Sequence, residues 1–390
     1  MNSNLYREPD DKGLDGTENE KENTTENNQS RKGRKAGIIA LIVFMVLLNA
    51  LGCVMLYFDT VINKIQFDGD ALDDYVVTFT DIADNDRQEG VEYNEVDADK
   101  LGGDLSAVVM GEDELVYQEG TTNVLLIGTD NRVEGYTGNS DAMILLSINR
   151  NTKQLVMTSI MRDLAVTIEG SERAVEKLTH AYVYGKAGLL IDTIEAHLGV
   201  RIDEYAAVDF YTFIDIVDYI GGIEMDVSES ERAVMNDYVQ MINNHYGLDY
   251  GDGFLWSPGE NITLTGKQAL GYARNRYSYT GTAGGDYGRT ERQREVLSKI
   301  IEKIKANPTL AFGLIDKVAP YVTTSYEKSE MMAEVMNLAE YAGYEIVDFR
   351  VPAADTYENA MVGNMSVVSC DFEANRKLLI EKIYGVEDAE

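Results

Sequence analysis

Charged and polar side chains gather in four short segments of the chain, and the first two segments each carry an aspartate. Asp130 follows the apolar run that ends at Gly128, and Asp141 opens the next apolar run. Two carboxylates on neighbouring strand ends can share a hard cation, because Mg²⁺ and Mn²⁺ prefer oxygen ligands. Asp130 and Asp141 are therefore candidate metal ligands, although an aspartate that ends a strand is more often a turn former.

The third segment, 159–163, closes another apolar run with an arginine and an aspartate. Arg162 would lie beside the two aspartates if the three runs are neighbouring strands. The structural alternative is an ion pair between Arg162 and Asp163 on a solvated loop. Asp163 is also the candidate general base, although a carboxylate next to an arginine is usually only its ion-pair partner.

The fourth segment is the richest in arginine, with four arginines between residues 274 and 293 of a chain whose net charge is −33. Arg274 and Arg276 are two residues apart and point the same way if the backbone is extended. Arginine can hold a phosphate with two hydrogen bonds at once, and helix N-termini favour anions. The segment is thus a candidate phosphate-binding element.

The second half of this segment predicts the start of a helix. Arg289, Arg292 and Gln293 would share one helix face, because they are spaced i, i+3 and i+4. One alternative is structural, since Thr290 and Gln293 have the spacing of a capping box, in which Gln293 would only cap its helix. In another alternative, the arginines pair with nearby carboxylates such as Asp286.

Two carboxylates for one cation and several arginines for a pyrophosphate are the groups that phosphoryl transfer requires, since its catalysis consists mostly of positioning and charge neutralisation. The acidic composition argues against a nucleic-acid partner, which needs clustered positive charge. Three histidines without HExxH spacing argue against a zinc enzyme. Cys53 lies in an apolar run and Cys370 stands alone, which argues against an intramolecular disulfide.

The elements that must position these groups alternate between strands and helices, which predicts a layered α/β domain. The predicted strands are 123–128, 143–148, 154–160, 205–209, 223–227 and 345–351. The predicted helices are 188–198, 211–220, 265–272, 292–305 and 329–341.

A single apolar run, residues 36–58, contains no charged residue and is long enough to cross a membrane as a helix. A cleaved signal peptide is the alternative, but its apolar stretch is only about 7–15 residues long. Four basic residues, Arg31, Lys32, Arg34 and Lys35, precede the run, and basic residues stay on the cytoplasmic side. We therefore expect a single-pass cell-membrane protein with a cytoplasmic N-terminus and an extracytoplasmic domain.

The membrane run sets the expected organisation of the whole chain. Residues 1–35 are polar and are expected to form a disordered cytoplasmic tail. Residues 59–120 are expected to be an acidic juxtamembrane linker or an accessory module. The catalytic domain is expected at 121–306, and 307–390 would be a C-terminal extension that packs on this domain.

The order of seven motifs resembles the LytR–CpsA–Psr family of bacterial cell-wall glycopolymer ligases. The motifs lie between residues 123 and 304 and read NVLLIGTDNR, NSDAMILLSIN, TSIMRD, EKLTHAYVYG, VDFYTFIDIVDYIGGIEMDV, LTGKQALGYARNR and GGDYGRTERQREV. Each motif is a weak signal alone, but their common order is specific. The preceding apolar run also matches the topology of the family.

The resemblance implies a three-layer α/β/α domain with a mixed central sheet and a long apolar pocket for a lipid. It implies a phosphotransferase that takes a glycopolymer from a polyprenyl pyrophosphate at the outer membrane face and joins it to the muramic acid 6-hydroxyl of peptidoglycan. The implied partners are the lipid-linked glycopolymer, the peptidoglycan acceptor and membrane lipid. The implied cofactor is Mg²⁺ or Mn²⁺.

The resemblance also assigns roles to individual residues. Asp130 and Asp141 correspond to the metal-site acids. The residues that correspond to the pyrophosphate site are Arg162, Lys177, Arg274, Arg276, Arg289 and Gln293, with Asp286 as a lesser candidate. Arg162 and Arg289 are the expected catalytic arginines, beside Asp163.

The chain departs from the family pattern at two of these motifs. Asn139 and Ala142 stand where the family usually has arginine and threonine next to the second acid, and Met161 replaces a proline before Arg162. The first change bears on metal affinity or polymer choice. Neither change removes a candidate ligand.

Two other functions fit the same residues. A polyprenyl-pyrophosphate hydrolase would use the same site with water as the acceptor. A non-enzymatic envelope regulator would predict that Arg162→Ala or Asp141→Ala leaves the cellular phenotype intact.

Overall fold

A computed structural model describes residues 59–68, 75–80, 91–130, 138–276, 285–307 and 309–385, together with Met45, Leu72 and Ile82. The predicted tail, 1–35, and the predicted membrane run, 36–58 apart from Met45, lie outside the described residues. Within the described ranges, no helix has the length and apolar character needed to span a bilayer. Residues 61–390 form one compact unit by their internal contacts.

The strands of the described ranges are numbered in chain order. They are β1 (Gln66–Phe67), β2 (Asn94–Glu95), β3 (Thr121–Thr129), β4 (Ser140–Asn149), β5 (Gln154–Ile160), β6 (Ala165–Val166), β7 (Glu176–Lys177), β8 (Glu204–Asp209), β9 (Ile223–Val227), β10 (Gly259–Leu264), β11 (Thr323–Thr324), β12 (Glu345–Val351), β13 (Tyr357–Val362) and β14 (Met365–Cys370).

The helices of the described ranges are numbered in the same way. They are α1 (Ala98–Ser106), α2 (Leu178–Leu198), α3 (Phe210–Tyr219), α4 (Glu229–Tyr246), α5 (Gly266–Ala273), α6 (Gly285–Ala306), α7 (Thr309–Val318), α8 (Lys328–Tyr341) and α9 (Phe372–Tyr384).

A mixed sheet with the strand order β1-β11-β8-β3-β4-β5-β12 forms the centre of the unit. The pairs β3–β4 and β4–β5 are antiparallel, whereas β3–β8 and β5–β12 are parallel. Smaller sheets pair β9 with β10, β6 with β7, and β13 with both β14 and β2. The prediction of an α/β domain around a mixed sheet is therefore correct.

Helices cover both faces of this sheet. On one face, Leu125 and Leu145 belong to a large apolar cluster with α2 and α9. On the other face, Ile148 and Leu155 pack with α8 and with Ile301 of α6. The central strands are apolar over most of their length because both of their faces are covered.

The stretch expected as a linker or accessory module is partly built into the domain. Val61, Ile62 and Ile65 are buried, and β1 pairs in parallel with β11 at the edge of the main sheet. In α1, Leu101 and Leu105 are one helical turn apart and are buried in the main core. Folded parts of 59–120 therefore belong to the same unit as the seven sequence motifs.

Residues after 306 also contribute to the central layers. β12 pairs with β5 along its whole length, from Glu345 opposite Gln154 to Val351 opposite Ile160. Because β5 leads directly into the segment that carries Arg162, this strand supports one of the chemical motifs from the side.

Candidate active site

The described residues enclose a cavity of about 690 Å³ near the ends of the central strands. Its lining contains six of the nine charged residues predicted for the site, but not Asp163, Lys177 or Asp286, together with two aromatic residues. The lining residues are Asp130, Asn139, Asp141, Arg162, Phe210, Val234, Asp237, Tyr238, Met241, Arg274, Arg276, Arg289 and Gln293. Motifs more than 150 residues apart in the chain thus meet in one place.

The two aspartates reach the cavity from neighbouring antiparallel strands. Thr129 pairs with Ser140 and Gly128 with Ala142, so Asp141 is the extra residue of a bulge in β4. A bulge re-aims side chains and is common next to active sites. The backbone N–H of Asp130 donates to the carbonyl of Asn139 at 3.3 Å, which joins the two strand ends beside the cavity.

Arg162 lies between two carboxylates and is mostly buried. Its Nη1 donates to Asp141 Oδ1 at 2.5 Å, and its Nε donates to Asp163 Oδ2 at 3.3 Å. The Nζ of Lys177 lies 3.4 Å from the other oxygen of Asp163. The Arg162–Asp163 pair therefore exists, but it lies inside a buried charge network rather than on a solvated loop.

The two carboxylates of this network stay ionised despite their burial. Burial alone would raise the pKa of Asp141, but Arg162, Arg289 and Arg274 outweigh it and hold that pKa below its ordinary value. Burial alone would also raise the pKa of Asp163. The positive charges of Arg162 and Lys177 outweigh this effect, so the pKa of Asp163 is strongly lowered. Asp163 is therefore a weak base and a strong ion-pair partner.

Arg276 and Arg289 share one buried carboxylate. The Nε of Arg276 lies 3.2 Å from Asp286 Oδ1, and the Nη2 of Arg289 lies 3.0 Å from the same oxygen. Burial is the main cause that lowers the pKa of Arg289, to about 10. The positive charges of Arg162 and Arg276 lower this pKa further, whereas the negative charge of Asp286 raises it. The Nε of Arg289 is buried and has no hydrogen-bond partner among the described residues. This side of the cavity therefore holds a buried guanidinium with an unused hydrogen-bond donor.

Arg274 joins the charged part of the cavity to an aromatic part. It is the C-cap of α5 and has helical backbone angles, so the condition under which Arg274 and Arg276 would point the same way, an extended backbone, is not met at this residue. Its guanidinium stacks 4.3 Å from the ring of Phe210 and 5.4 Å from that of Tyr238, and its Nη2 lies 3.6 Å from Asp130. Aromatic faces attract guanidinium groups and hold them in place.

Close packing of α5 on α4 brings Arg274 to Tyr238. A Cβ added to Gly271 would lie 2.7 Å from the backbone oxygen of Met235, a distance that real Cβ atoms do not adopt. Only glycine allows this approach of the two helices.

A second cavity, of about 450 Å³, continues from the first. The two share Phe210, Tyr238, Met241 and Arg274, and the second is otherwise lined by Tyr211, Ile242, Asn244, His245 and Leu270. Tyr211 and His245 stack with ring centroids 6.0 Å apart. The family resemblance implied a long apolar pocket for a lipid. Phe210 and Tyr211, at the start of α3, line this second cavity.

The helix that carries Arg289 and Gln293 begins earlier than predicted. α6 starts at Gly285, so Thr290 lies inside the helix and donates to the carbonyl of Tyr287 rather than forming a capping box. Gln293 faces the cavity, one turn after Arg289. Arg292 does not face it: its guanidinium donates to Glu231 and to the carbonyl of Asn275.

Sequence reasoning missed α4, which supplies Val234, Asp237, Tyr238 and Met241 to the cavity. The signal was present, because Ser228 and Glu231 form a complete capping box at its start. The spacing of the lining residues, i, i+3, i+4 and i+7, is also that of one helix face.

The site's oxygen atoms suit a small divalent cation. Mg²⁺ usually keeps several waters and binds through one or two carboxylates together with substrate phosphate. Asp130 and Asp141 supply two carboxylates, and the buried Oδ1 of Asn139 lacks a hydrogen-bond partner among the residues described. No group of three or more His, Cys, Asp or Glu side chains suited to a metal occurs in the described ranges. The donors fit a cation that phosphate helps to hold, rather than one enclosed by protein alone.

Comparison with known proteins agrees with the motif order. Residues 80–378 match the model of the LytR_cpsA_psr family. The chain belongs to this family. The match extends beyond the seven motifs on both sides, and it includes β12 and most of α9.

Named relatives within the LytR_cpsA_psr family are of two kinds. The polyisoprenyl-teichoic acid–peptidoglycan teichoic acid transferase TagU of Bacillus licheniformis is 36% identical over 181 residues, which is 46% of this chain and 51% of that protein. Biofilm regulatory protein A of Streptococcus mutans is 34% identical over 209 residues, 50% of this chain and 46% of that protein. The chain thus spans about half the length of the curated relatives it matches.

Solved structures of LytR_cpsA_psr proteins share the fold. Bacillus subtilis TagT matches with a TM-score of 0.53 and 24% identity, over 70% of this chain and 94% of that one. A TagT structure with bound octaprenyl pyrophosphate lipid matches with a TM-score of 0.50 and 22% identity over the same shares, 70% and 94%.

Proposed function

We propose that this chain is a membrane-anchored phosphotransferase that moves a glycopolymer from a polyprenyl pyrophosphate to the 6-hydroxyl of muramic acid in peptidoglycan. Family membership supports the proposal, as does the transferase activity that the name of TagU states. The lipid pyrophosphate bound by the neighbour TagT supports the donor class.

One observation carries the proposal: the guanidinium of Arg289 lines the cavity, is buried, and keeps an Nε without a hydrogen-bond partner among the described residues. A buried guanidinium with an unpartnered Nε and a lowered pKa is held at a cost to the folded protein. An anion in the cavity would offset part of this cost through charge-assisted hydrogen bonds. Together with Arg162, Arg274 and Arg276 it forms a wall suited to the two phosphates of a pyrophosphate.

These arginines act on both the donor and the leaving group. The acceptor hydroxyl oxygen bonds to the phosphorus that carries the glycopolymer while the bond from that phosphorus to the bridging oxygen breaks. Polyprenyl phosphate leaves with the bond's electron pair. The arginines are already in place where this negative charge develops, so no reorganisation is needed during the step.

Asp130 and Asp141 would hold Mg²⁺ or Mn²⁺ beside the pyrophosphate, with Asn139 as a nearby oxygen donor. A bound cation would neutralise phosphate charge. Asp163 has a positioning role in this scheme: it fixes Arg162 between two carboxylates and is itself held by Lys177. Its strongly lowered pKa makes it unsuitable as the base.

Asp237 is the residue that we assign to accept the proton of the acceptor hydroxyl. Every other carboxylate of the site lies within 4 Å of an arginine: Asp130, Asp141, Asp163 and Asp286. Asp237 lines the same cavity from α4 and has no ion pair within the described ranges. Asp237 is therefore an exposed carboxylate in the cavity lining that no arginine of the described residues engages.

The second cavity would take the first part of the polyprenyl chain. It continues from the arginine wall, and its lining is mostly aromatic and aliphatic. The apolar run 36–58 would anchor the chain in the membrane in which such a lipid resides.

The test is incubation of the full chain in detergent with a lipid-pyrophosphate-linked glycan and Mg²⁺, with and without peptidoglycan. We expect polyprenyl phosphate release that depends on peptidoglycan and a glycan that becomes covalently attached to it. Removal of the cation with a chelator should abolish both, and added Mg²⁺ should restore them. Release at the same rate without peptidoglycan would show a hydrolase instead. Normal polymer attachment in cells carrying Asp141→Ala would show a non-enzymatic role.

A further inference from the structure

A loop on the outside of α4 displays aromatic rings to solvent. We define the aromatic loop as residues 247–256, between α4 and β10. Tyr250 and Trp256 are 82% and 75% exposed, and Leu248 is 43% exposed. Phe254 lies between the two rings, with its centroid 5.5 Å from that of Tyr250 and 5.7 Å from that of Trp256. Three rings therefore form one continuous apolar surface.

The aromatic loop is held in shape by amide side chains of α4. Asn236 bonds both the N–H and the carbonyl of Leu255, at 3.0 and 2.9 Å. Gln240 accepts from the N–H of Gly251 at 3.0 Å, and Asn243 donates to the carbonyl of Asp252 at 2.8 Å. The rings are thus exposed on a fixed backbone, and a ligand that stacks on them loses little free energy to ordering of the loop.

The aromatic loop and the cavity lie on different faces of one helix. Successive residues of a helix turn by about 100°, so the loop-binding positions 236, 240 and 243 lie roughly 140° around the axis from the cavity-lining positions 234, 237, 238 and 241. The two surfaces are therefore separated by about the diameter of a helix, about 10–12 Å with side chains. A polymer chain of a few units can contact both.

Charge excludes several kinds of partner. Residues 241–260 contain no lysine or arginine, and Asp249, Asp252 and Glu260 are exposed. Two basic residues contact the loop, and each is paired with a carboxylate: Lys267 of α5 with Asp252, and Arg232 of α4, which donates to the carbonyl of Leu255, with Glu229. This acidic surround repels anionic lipid headgroups, which need basic residues, and polyanionic polymers such as teichoic acids. It suits an uncharged ligand whose hydroxyl and amide groups can donate hydrogen bonds to the carboxylates.

The size of the patch argues against a folded protein partner. An aromatic side chain buries about 150–250 Å², so the two exposed rings offer at most about 300–500 Å². A stable protein interface needs about 800 Å² on each partner. The C–H face of a pyranose ring is apolar and matches the electron-rich face of an aromatic ring, and the equatorial hydroxyls of a sugar remain free for hydrogen bonds.

We propose that the aromatic loop binds the uncharged amino-sugar strand of the peptidoglycan acceptor and leads it across α4 toward the cavity. The proposal rests on the proposed function for the identity of the acceptor. The aromatic loop would capture the strand, and the neighbouring cavity would then receive one of its hydroxyls.

The test uses Trp256 as a reporter, because it is the only tryptophan of the chain. Chitohexaose, a soluble β-1,4-linked N-acetylglucosamine oligomer, is titrated into the full chain in detergent while the tryptophan fluorescence is recorded. We expect a saturable shift of the emission to shorter wavelength. An unchanged spectrum would overturn the proposal. A shift caused by phosphatidylglycerol vesicles but not by chitohexaose would overturn it as well, in favour of membrane contact.

A variant separates stacking from structure. Tyr250→Ala keeps the reporter, and we expect about tenfold weaker chitohexaose binding, which corresponds to about 1.4 kcal/mol for the lost stacking contact. Tyr321→Ala is the matched control, since Tyr321 is also an exposed tyrosine, at 60%, but lies elsewhere in the fold. Equal weakening in both variants would contradict the proposal.

The same titration distinguishes the two proposals. If Trp256 does not respond while peptidoglycan-dependent transfer proceeds, the aromatic loop is not a glycan site and the proposed function stands. If Trp256 responds but transfer is absent, the loop binds glycans and the proposed enzyme activity fails.

Discussion

The two faces of α4 border surfaces of opposite chemical character. On the cavity face, the helix borders a cluster of arginines and aspartates that pair with one another and still leave Arg289 Nε unsatisfied. On the other face, the side-chain amides of Asn236, Gln240 and Asn243 satisfy the loop backbone, and aromatic rings are exposed beside the carboxylates of Asp249 and Asp252. The first surface keeps a hydrogen-bond donor for an anion, whereas the second offers apolar contact within an acidic surround. Their ligands should differ accordingly.

The largest effect on activity is expected at the charged surface, which borders the cavity face of α4. Arg162→Ala removes a guanidinium from the wall and leaves Asp141 and Asp163 without their main partner. We expect polyprenyl phosphate release to fall by about 10³-fold, the magnitude that transition-state arginines supply in phosphoryl transfer. Arg201→Ala is the control, because Arg201 is about half exposed and pairs only locally with Asp203. A loss below about tenfold in Arg162→Ala would remove that residue from the active site.

The second prediction concerns Asp237, on the cavity face of α4. Asp237→Asn removes the proposed proton acceptor but keeps the size of the side chain, and we expect kcat to fall by about 10²-fold or more with little change in the donor KM. Asp104→Asn, at an exposed position of α1, serves as the control. An unchanged kcat in Asp237→Asn would assign the base elsewhere.

A third prediction concerns the stability cost of the charged surface. The pKa of Arg289 is lowered to about 10 in the folded protein, mainly by burial. When the pKa of a basic group is lower in the folded state than in the unfolded state, the charged group destabilises the fold. The loss of folding stability is complete below pH 10 and becomes smaller as the pH rises above 10. Arg289→Gln should therefore raise the melting temperature at pH 7 without ligand.

The same variant should lose stabilisation by ligand. Inorganic pyrophosphate at about 100 times its Kd stabilises a binding protein by about 2.7 kcal/mol, which we expect to raise the melting temperature of the wild type by a few degrees. Arg289→Gln should show a smaller rise. A variant that is less stable than the wild type without ligand and equally stabilised by pyrophosphate would contradict the assignment of an anion site to this wall.

The smallest effect on activity is expected at the aromatic loop, on the other face of α4. Asn236→Ala removes two hydrogen bonds to Leu255 and should cost about 1–2 kcal/mol of stability. Because it loosens the aromatic loop without touching the rings, chitohexaose affinity should fall only a few-fold and transfer kcat should not change. Fluorescence titration and the transfer assay measure the two quantities. A kcat loss as large as that of Asp237→Asn would mean that the two faces of α4 are not independent.

Much of the fold could be predicted from the chain. The strands 154–160, 223–227 and 345–351 coincide with β5, β9 and β12, because apolar runs bounded by polar turns are unambiguous. The site residues could also be grouped by motif, and the structure brings Asp130, Asp141 and the arginines to one cavity. Their chemical roles remain predictions for the proposed experiments.

Other features could not be predicted from local patterns. The Thr290–Gln293 spacing suggested a helix start, but α6 begins at Gly285, so the pattern falls inside the helix. Arg292 was grouped with Arg289 and Gln293, yet it is directed to Glu231 of the missed helix α4. Both errors arise because a side chain's direction depends on where its helix begins and on what packs against it.

The sequence by itself determined the chemical inventory: an acidic chain with an apolar run at 36–58, aspartates at strand ends and arginines concentrated in one segment. These properties are fixed by composition and by short-range periodicity. Only the tertiary structure decided which arginines face a cavity and which are structural, that Arg289 is buried with an unpartnered Nε, and that Asp237 stands apart from every arginine pair. Such distinctions depend on contacts between residues far apart in the chain, and no local pattern records the distance between them.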